Sequence, residues 1–397
     1  MKKPPLHSAV HHATLRCALA FASLFLFAAA SAPVLADTGT EREKQETVQG
    51  PPQPPLRGLS RDSLLEYRSA GGSIQTAPTA AEWENGRRRE ALEAFLSIIG
   101  PGPADAGQPR PSPPGPRMEV RGETDCGSYV RRFISYRSGS GGSVPAWLCI
   151  PKAALGGRST PAVLCLHPTD GLRGHDTVVE PCREEYPPYA AELAALGFVT
   201  LSPSYPLMAG YKPDLKALGF TGGGTLKAVR DNISALDLLE TLPFVRREAG
   251  FGVIGHSLGG HNAVFTSVLE PRLKAIVSSC GFDSFTVYMN GDLRGWTQER
   301  YMPKLGTYLG RPRDVPFDFF ELISALAPRH VFISAPKGDS NFRWESVRRI
   351  TEAARPVYRL YGAEDRLKVH HPEAGHVFPE DTRRDAFAML LRVLGTP

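Results

Sequence analysis

Along the chain, the hydrophobic pattern alternates between two periods. Short apolar runs at Ala162–Leu166, 198–201, 251–254, Leu273–Ser279, 331–335 and 357–361 have the length and near-continuous apolarity of strands buried on both faces. Between and after them, apolar positions recur at helical spacing over 189–196, 226–241, 344–354 and 381–394, and from Leu258 onward. Strands alternating with helices predict an α/β protein whose mostly parallel central sheet is flanked by helices. Upstream, 129–136 and 144–150 read as two strands of an antiparallel hairpin joined through Ser138-Gly139-Ser140-Gly141-Gly142. Earlier still, Trp83, Leu92, Phe95, Leu96 and Ile99 mark one face of a helix over 80–99, stopped by Gly100-Pro101.

Composition divides the rest of the chain. Of the 397 residues, the first 36 carry Lys2, Lys3 and Arg16, then an apolar run from Cys17 to Ala30, and end in Val34-Leu35-Ala36. That is the layout of a signal peptide cleaved after Ala36, predicting a secreted or periplasmic protein with no stable membrane association after cleavage. The alternative, a membrane anchor, has to accommodate a short apolar core followed by Pro33. Residues 37–79 are expected to be disordered or extended, 80–117 a helix with a proline-rich arm, and 118–397 the compact domain. Removing 1–36 lowers the formal charge from +5 to about +2, which leaves no electrostatic case for nucleic acid. Cys126, Cys149, Cys165, Cys182 and Cys280 remain, an odd number without zinc-ligand spacing, so no metal site is expected.

The chemistry concentrates in Gly255-His256-Ser257-Leu258-Gly259, placed between an apolar run and a helical one. A serine at the apex of such a turn needs glycine two positions to either side, where a side chain would strike the neighbouring strand or helix. Ser257 is the candidate nucleophile, with Leu258 N–H as one oxyanion donor. The base is expected after the last strand, and His376 in Glu373-Ala374-Gly375-His376-Val377-Phe378-Pro379 is preferred over His370 and His371. Asp339, in Pro336-Lys337-Gly338-Asp339, is the leading acid, because functional groups gather at the carboxyl ends of parallel strands. Asp283 and Asp365 are its rivals, and the bland reading of Asp339 is an Asx turn or helix cap before Phe342. A second oxyanion donor is assigned to Thr169 N–H in His167-Pro168-Thr169-Asp170-Gly171, because Pro168 has no N–H.

With GHSLGGHNAVF, LHPTDG, ISAPKGDSNF and EAGHVFP in view, the chain resembles the α/β-hydrolase superfamily. Within it, the exported branch related to dienelactone hydrolases and acetyl-xylan-esterase-like proteins is most similar, over residues 83–394. The resemblance implies that fold and a Ser257–His376–Asp339 triad. It also supports Leu258 and Thr169 as oxyanion donors and implies ester hydrolysis through an acyl-enzyme with no metal or organic cofactor. Dienelactone hydrolases use a cysteine where this chain has Ser257, so their lactone specificity does not carry over. Glucuronoyl esterases place arginine after the serine, where this chain has Leu258.

The excursion 281–330 is aromatic-rich and reads as a cap-like insertion, with Tyr288 and Trp296 singled out as pocket residues for a small-molecule or carbohydrate ester. Lys337 and Arg173 flank the site and would suit an acidic group if they are not merely solvated. Two other functions share these residues. A prolyl-oligopeptidase-type peptidase would need a propeller, and about 90 residues between Asp37 and Cys126 are too few at roughly 40 per blade. A non-catalytic binding scaffold would have no need of the three candidate triad residues.

Overall fold

The computed structural model describes residues 58–100, 102 and 118–397, so the expected leader at 1–36 and the arm at 103–117 lie outside the described residues. Strands β1 (Glu66–Arg68) and β2 (Ile74–Thr76) form a small antiparallel ribbon. Leu64, just before this ribbon, is buried. The main sheet contains β3 (Met118–Asp125), β4 (Tyr129–Arg137), β5 (Ser143–Pro151), β6 (Ala162–Leu166), β7 (Val199–Pro203), β8 (Phe251–His256), β9 (Leu273–Ser279), β10 (His330–Ser334) and β11 (Leu367–His370). Their spatial order is β11-β10-β9-β8-β6-β7-β5-β4-β3. From β7 to β11 every neighbouring pair is parallel, while β3, β4 and β5 attach antiparallel at one side.

Helices α1 (Ala80–Trp83), α2 (Arg89–Ile99), α3 (Lys152–Leu155), α4 (Tyr189–Ala195), α5 (Gly224–Thr241), α6 (Leu258–Leu269), α7 (Phe319–Ser324), α8 (Trp344–Leu360) and α9 (Glu380–Leu394) cover the sheet. Alternate side chains of one strand enter different cores. Leu164, Val253 and Ile276 join α2, α5, α6, α7 and α8 on one face; Val163, Ile254 and Val277 join α4 and α9 on the other. Burial on both faces explains why these strands read as unbroken apolar runs.

Two elements differ from the sequence expectation. Residues 357–361 are not a strand. They complete α8, whose buried positions Val347, Ile350, Ala354, Val357 and Tyr358 keep helical spacing through Pro356. The last strand is instead β11, four residues with only Leu367 buried. At the other edge, β3 is exposed along nearly its whole length.

The helix expected over 80–99 is α1 and α2 joined by one wide π turn, Glu84–Arg88. It braces the insertion between β9 and β10. Phe95 packs on Phe265 and Phe317 at ring-centroid distances of 5.0 and 5.1 Å. Arg87, buried, donates to Glu321 at 2.9 Å, and Trp83 donates to the Leu64 carbonyl at 2.9 Å. The insertion itself is a chain of short 3-10 turns ending in α7. Its segment 299–301 lies against the start of α5, where Gly224 and Thr225 N–H donate to the carbonyls of Glu299 and Tyr301. A Cβ on Gly223 or Gly224 would stand 2.4–2.5 Å from atoms of Pro303, Tyr301 and Arg300, which gives the glycine-rich loop 221–224 its reason.

Candidate active site

The strand-to-helix turn at Ser257 is strained: Ser257 has φ 54° and ψ −118°, a region L-residues seldom occupy. Close packing enforces it. A Cβ on Gly255 would meet the Gly259 carbonyl oxygen at 2.1 Å, and one on Gly259 would meet that of Leu166 at 1.9 Å. Ser257 N–H donates to the Ser279 carbonyl at 2.8 Å, tying the apex to β9.

Two loops then close over the serine. After β10, Ala335, Lys337 and Gly338 N–H donate to the carbonyls of His370, Pro372 and Ala374, each at 2.9 Å. This backbone ladder carries Asp339 on one loop and His376 on the other. His376 Nδ1 lies 2.9 and 3.0 Å from the two Asp339 oxygens, and His376 Nε2 lies 2.9 Å from Ser257 Oγ. With the proton on Nδ1, the imidazole donates to the carboxylate and accepts from the serine. Asp339 Oδ1 also accepts from Asn341 and Phe342 N–H at 2.8 and 3.2 Å, so the residue makes the Asx turn as well as the imidazole contact. Burial pushes its carboxyl up, but the bonds from His376, Asn341 and Phe342 outweigh this and leave it below the usual carboxylate range.

The rivals stand elsewhere. Asp283 is buried, and its Oδ2 accepts from Arg343 N–H at 3.0 Å while Oδ1 has no partner. Burial raises its pKa to about 8, so it is a neutral acid at pH 7. Asp365 sits in the 3-10 turn that leads into β11.

The candidate oxyanion donor Thr169 sits in the loop after β6. Thr169 Oγ1 lies 3.1 Å from Tyr301 OH, and Tyr186 OH donates to the Thr169 carbonyl at 3.3 Å. Among the described residues, neither Leu258 N–H nor Thr169 N–H is taken up by a protein acceptor. His167 fixes the loop from beneath. Its Nε2 accepts from Tyr205 N–H at 2.9 Å, which leaves Nδ1–H to donate to the Pro168 carbonyl at 2.7 Å. Burial lowers the His167 pKa to about 4 and keeps this tautomer neutral.

Tyr288 and Trp296 reach the site through Phe342. Its ring lies 6.1 Å from His376, 5.7 Å from Tyr288 and 6.3 Å from Trp296. Sequence reasoning missed His167 and Phe342 as neighbours of the site, although each lies inside a motif it quoted. Lys337 and Arg173 are surface ion pairs with Glu373 and Glu180. Cys280, Asp339 and His376 place a thiol, a carboxylate and an imidazole atom within 4.8 Å of one another. The carboxylate and imidazole already bond each other, and the thiol donates to the Val377 carbonyl at 3.5 Å.

Fold and site together define the α/β-hydrolase architecture. No family model matches the chain. The chain is 27% identical over 264 residues to "Putative hydrolase YtaP" of Bacillus subtilis (strain 168), covering 63% of this chain and 83% of that protein. Among solved structures, a glucuronoyl esterase from Solibacter usitatus aligns with TM-score 0.63 at 18% identity, covering 84% of this chain and 98% of its own. A "putative acetyl xylan esterase" from Bacteroides fragilis NCTC 9343 aligns with TM-score 0.50 at 15% identity, covering 78% and 85%. At these identities the structural likeness establishes the fold.

Proposed function

We propose that the protein is a serine hydrolase of carboxylic esters that works through an acyl-enzyme. The observation that carries this is a serine held at φ 54° on the elbow, with an imidazole nitrogen 2.9 Å from its Oγ. Ser257 Oγ attacks the ester carbonyl as its proton passes to His376 Nε2. Asp339 orients the ring and stabilises the imidazolium. The N–H groups of Leu258 and Thr169 receive the oxyanion, each contributing on the order of 3 kcal/mol to lowering the barrier. His376 returns the proton to the leaving alcohol, then activates water for deacylation. No step calls for a metal or organic cofactor.

The aromatic wall of Tyr288 and Trp296 favours short-acyl or carbohydrate-linked esters, in keeping with the carbohydrate esterases that share the fold. The segment 1–36 would direct export to the periplasm or medium, with 118–397 as the catalytic domain braced by the 80–99 helix. Among the described residues no helix is long and apolar enough to cross a membrane. The test is hydrolysis of p-nitrophenyl acetate by the protein and by Ser257→Ala. The variant should lose on the order of 10⁶-fold in kcat while keeping its fold. Persistent activity would end the proposal.

A further inference from the structure

The helix that begins at the nucleophile carries a second polar group toward the insertion. His261 lies in the first turn of α6, four residues after Ser257, and its N–H donates to the Ser257 carbonyl at 3.3 Å. Its Nδ1–H donates to the Gly281 carbonyl at 3.0 Å, which fixes the tautomer and leaves Nε2 as a lone-pair acceptor. Burial holds the ring neutral, with its pKa lowered to about 3. Among the described residues Nε2 has no hydrogen-bond partner. The Trp296 ring lies 4.7 Å from the His261 ring, and Tyr301 stands edge-on at 6.2 Å. Trp296 is 4% exposed, yet its Nε1–H also has no partner.

Trp296 Nε1–H is a buried donor left unpaired, which costs about 1–3 kcal/mol, whereas His261 Nε2 is an open acceptor on the neighbouring ring. We infer that His261 and Trp296 form a subsite for a hydroxyl group of the substrate, on a neutral polyhydroxylated ring attached to the scissile ester. A hydroxyl gives its proton to His261 Nε2, which a hydrocarbon cannot do, while Trp296, whose Nε1 is buried, offers its ring. The faces of Trp296, Tyr288 and Tyr301 suit the C–H side of such a ring. A neutral ring fits because the lone pair of His261 Nε2 accepts a proton and repels a carboxylate. This subsite rests on the ester-hydrolase reading for its position beside Ser257, but binding alone can test it.

The experiment measures equilibrium affinity for the Ser257→Ala protein by calorimetry, with two matched pairs of probes. Methyl 2-O-acetyl-β-xylopyranoside is set against cyclohexyl acetate, and methyl glucuronate against methyl cyclohexanecarboxylate. The first pair puts the hydroxylated ring on the alcohol side, the second on the acyl side. At least one hydroxylated probe should bind tenfold or more tighter than its hydrocarbon partner. That ratio should collapse toward one when His261→Phe is added, recover in part with His261→Gln, which keeps an acceptor, and persist in Trp296→Phe, which keeps an aromatic ring. Equal affinity within both pairs overturns the subsite, as does a preference that survives His261→Phe. Fluorophosphonate labelling of the wild-type serine decides the underlying reading separately. An unlabelled protein that still prefers the hydroxylated ring would sink the hydrolase reading and keep the subsite.

Discussion

The triad and the insertion 281–330 meet through Phe342 but are built on opposite principles. At the triad the polar atoms are satisfied: Ser257 N–H and Oγ, both nitrogens of His376 and both oxygens of Asp339 have partners at 2.8–3.0 Å. The exceptions lie around it: His256, its ring 5.0 Å from that of His376, buries an unpartnered Nε2, and Ser278 Oγ, Ser334 Oγ and His371 Nε2 on the neighbouring strands and loop are likewise buried without partners. In the insertion, Trp296 Nε1 and Asp283 Oδ1 are buried without partners on segments with little regular structure, and His261 Nε2 on α6 is open beside them. A fully bonded network holds one geometry, whereas open groups await a partner. The contrast separates the part that would carry out the chemistry from the part that would choose the substrate.

The sharpest way to break this contrast is to exchange the two buried acids. Asp339→Asn should reduce kcat by about 10⁴-fold, because the amide no longer fixes the required His376 tautomer. Asp283→Asn should change it by only a few-fold, since Asp283 bonds Arg343 N–H and not His376. Steady-state kinetics on an aryl ester decides, and the reverse pattern would move the acid to the loop after β9.

A smaller effect should appear in stability against pH. Asp283 has a folded pKa of about 8, above the value near 3.9 expected in the unfolded chain. Its contribution is therefore full below about pH 4 and is lost progressively as pH rises through about 8. Asp283→Asn escapes that loss, so the Tm of the variant should climb relative to wild type between pH 5 and 8.5. A flat difference across that range would mean the acid is already ionised.

How much the sequence revealed follows burial. β6 and β9 are read to the residue because both faces of each are covered and both ends meet turns. β3 leaves no signal because its side chains face solvent almost throughout, and β11 is too short and too polar. The apolar run at 357–361 reads as a strand, yet the buried positions of α8 keep helical spacing past Pro356 into Val357 and Tyr358. At the site, Ser257, Asp339 and His376 stand beside glycines that mark tight backbone approaches, and those residue types carry their chemistry openly. His261 does not. Its meaning depends on Gly281 and Trp296, which are 20 and 35 positions away and brought to it only by the folded insertion.

The most direct measurement is fluorophosphonate labelling of the protein, followed by mass spectrometry of the modified peptide, in wild type and in His376→Ala. Labelling at Ser257 that is lost in His376→Ala is the predicted result, since only a serine activated by that imidazole displaces fluoride at a useful rate. A folded wild-type protein that takes no label, or labelling at Ser257 that proceeds equally well without His376, would contradict the account.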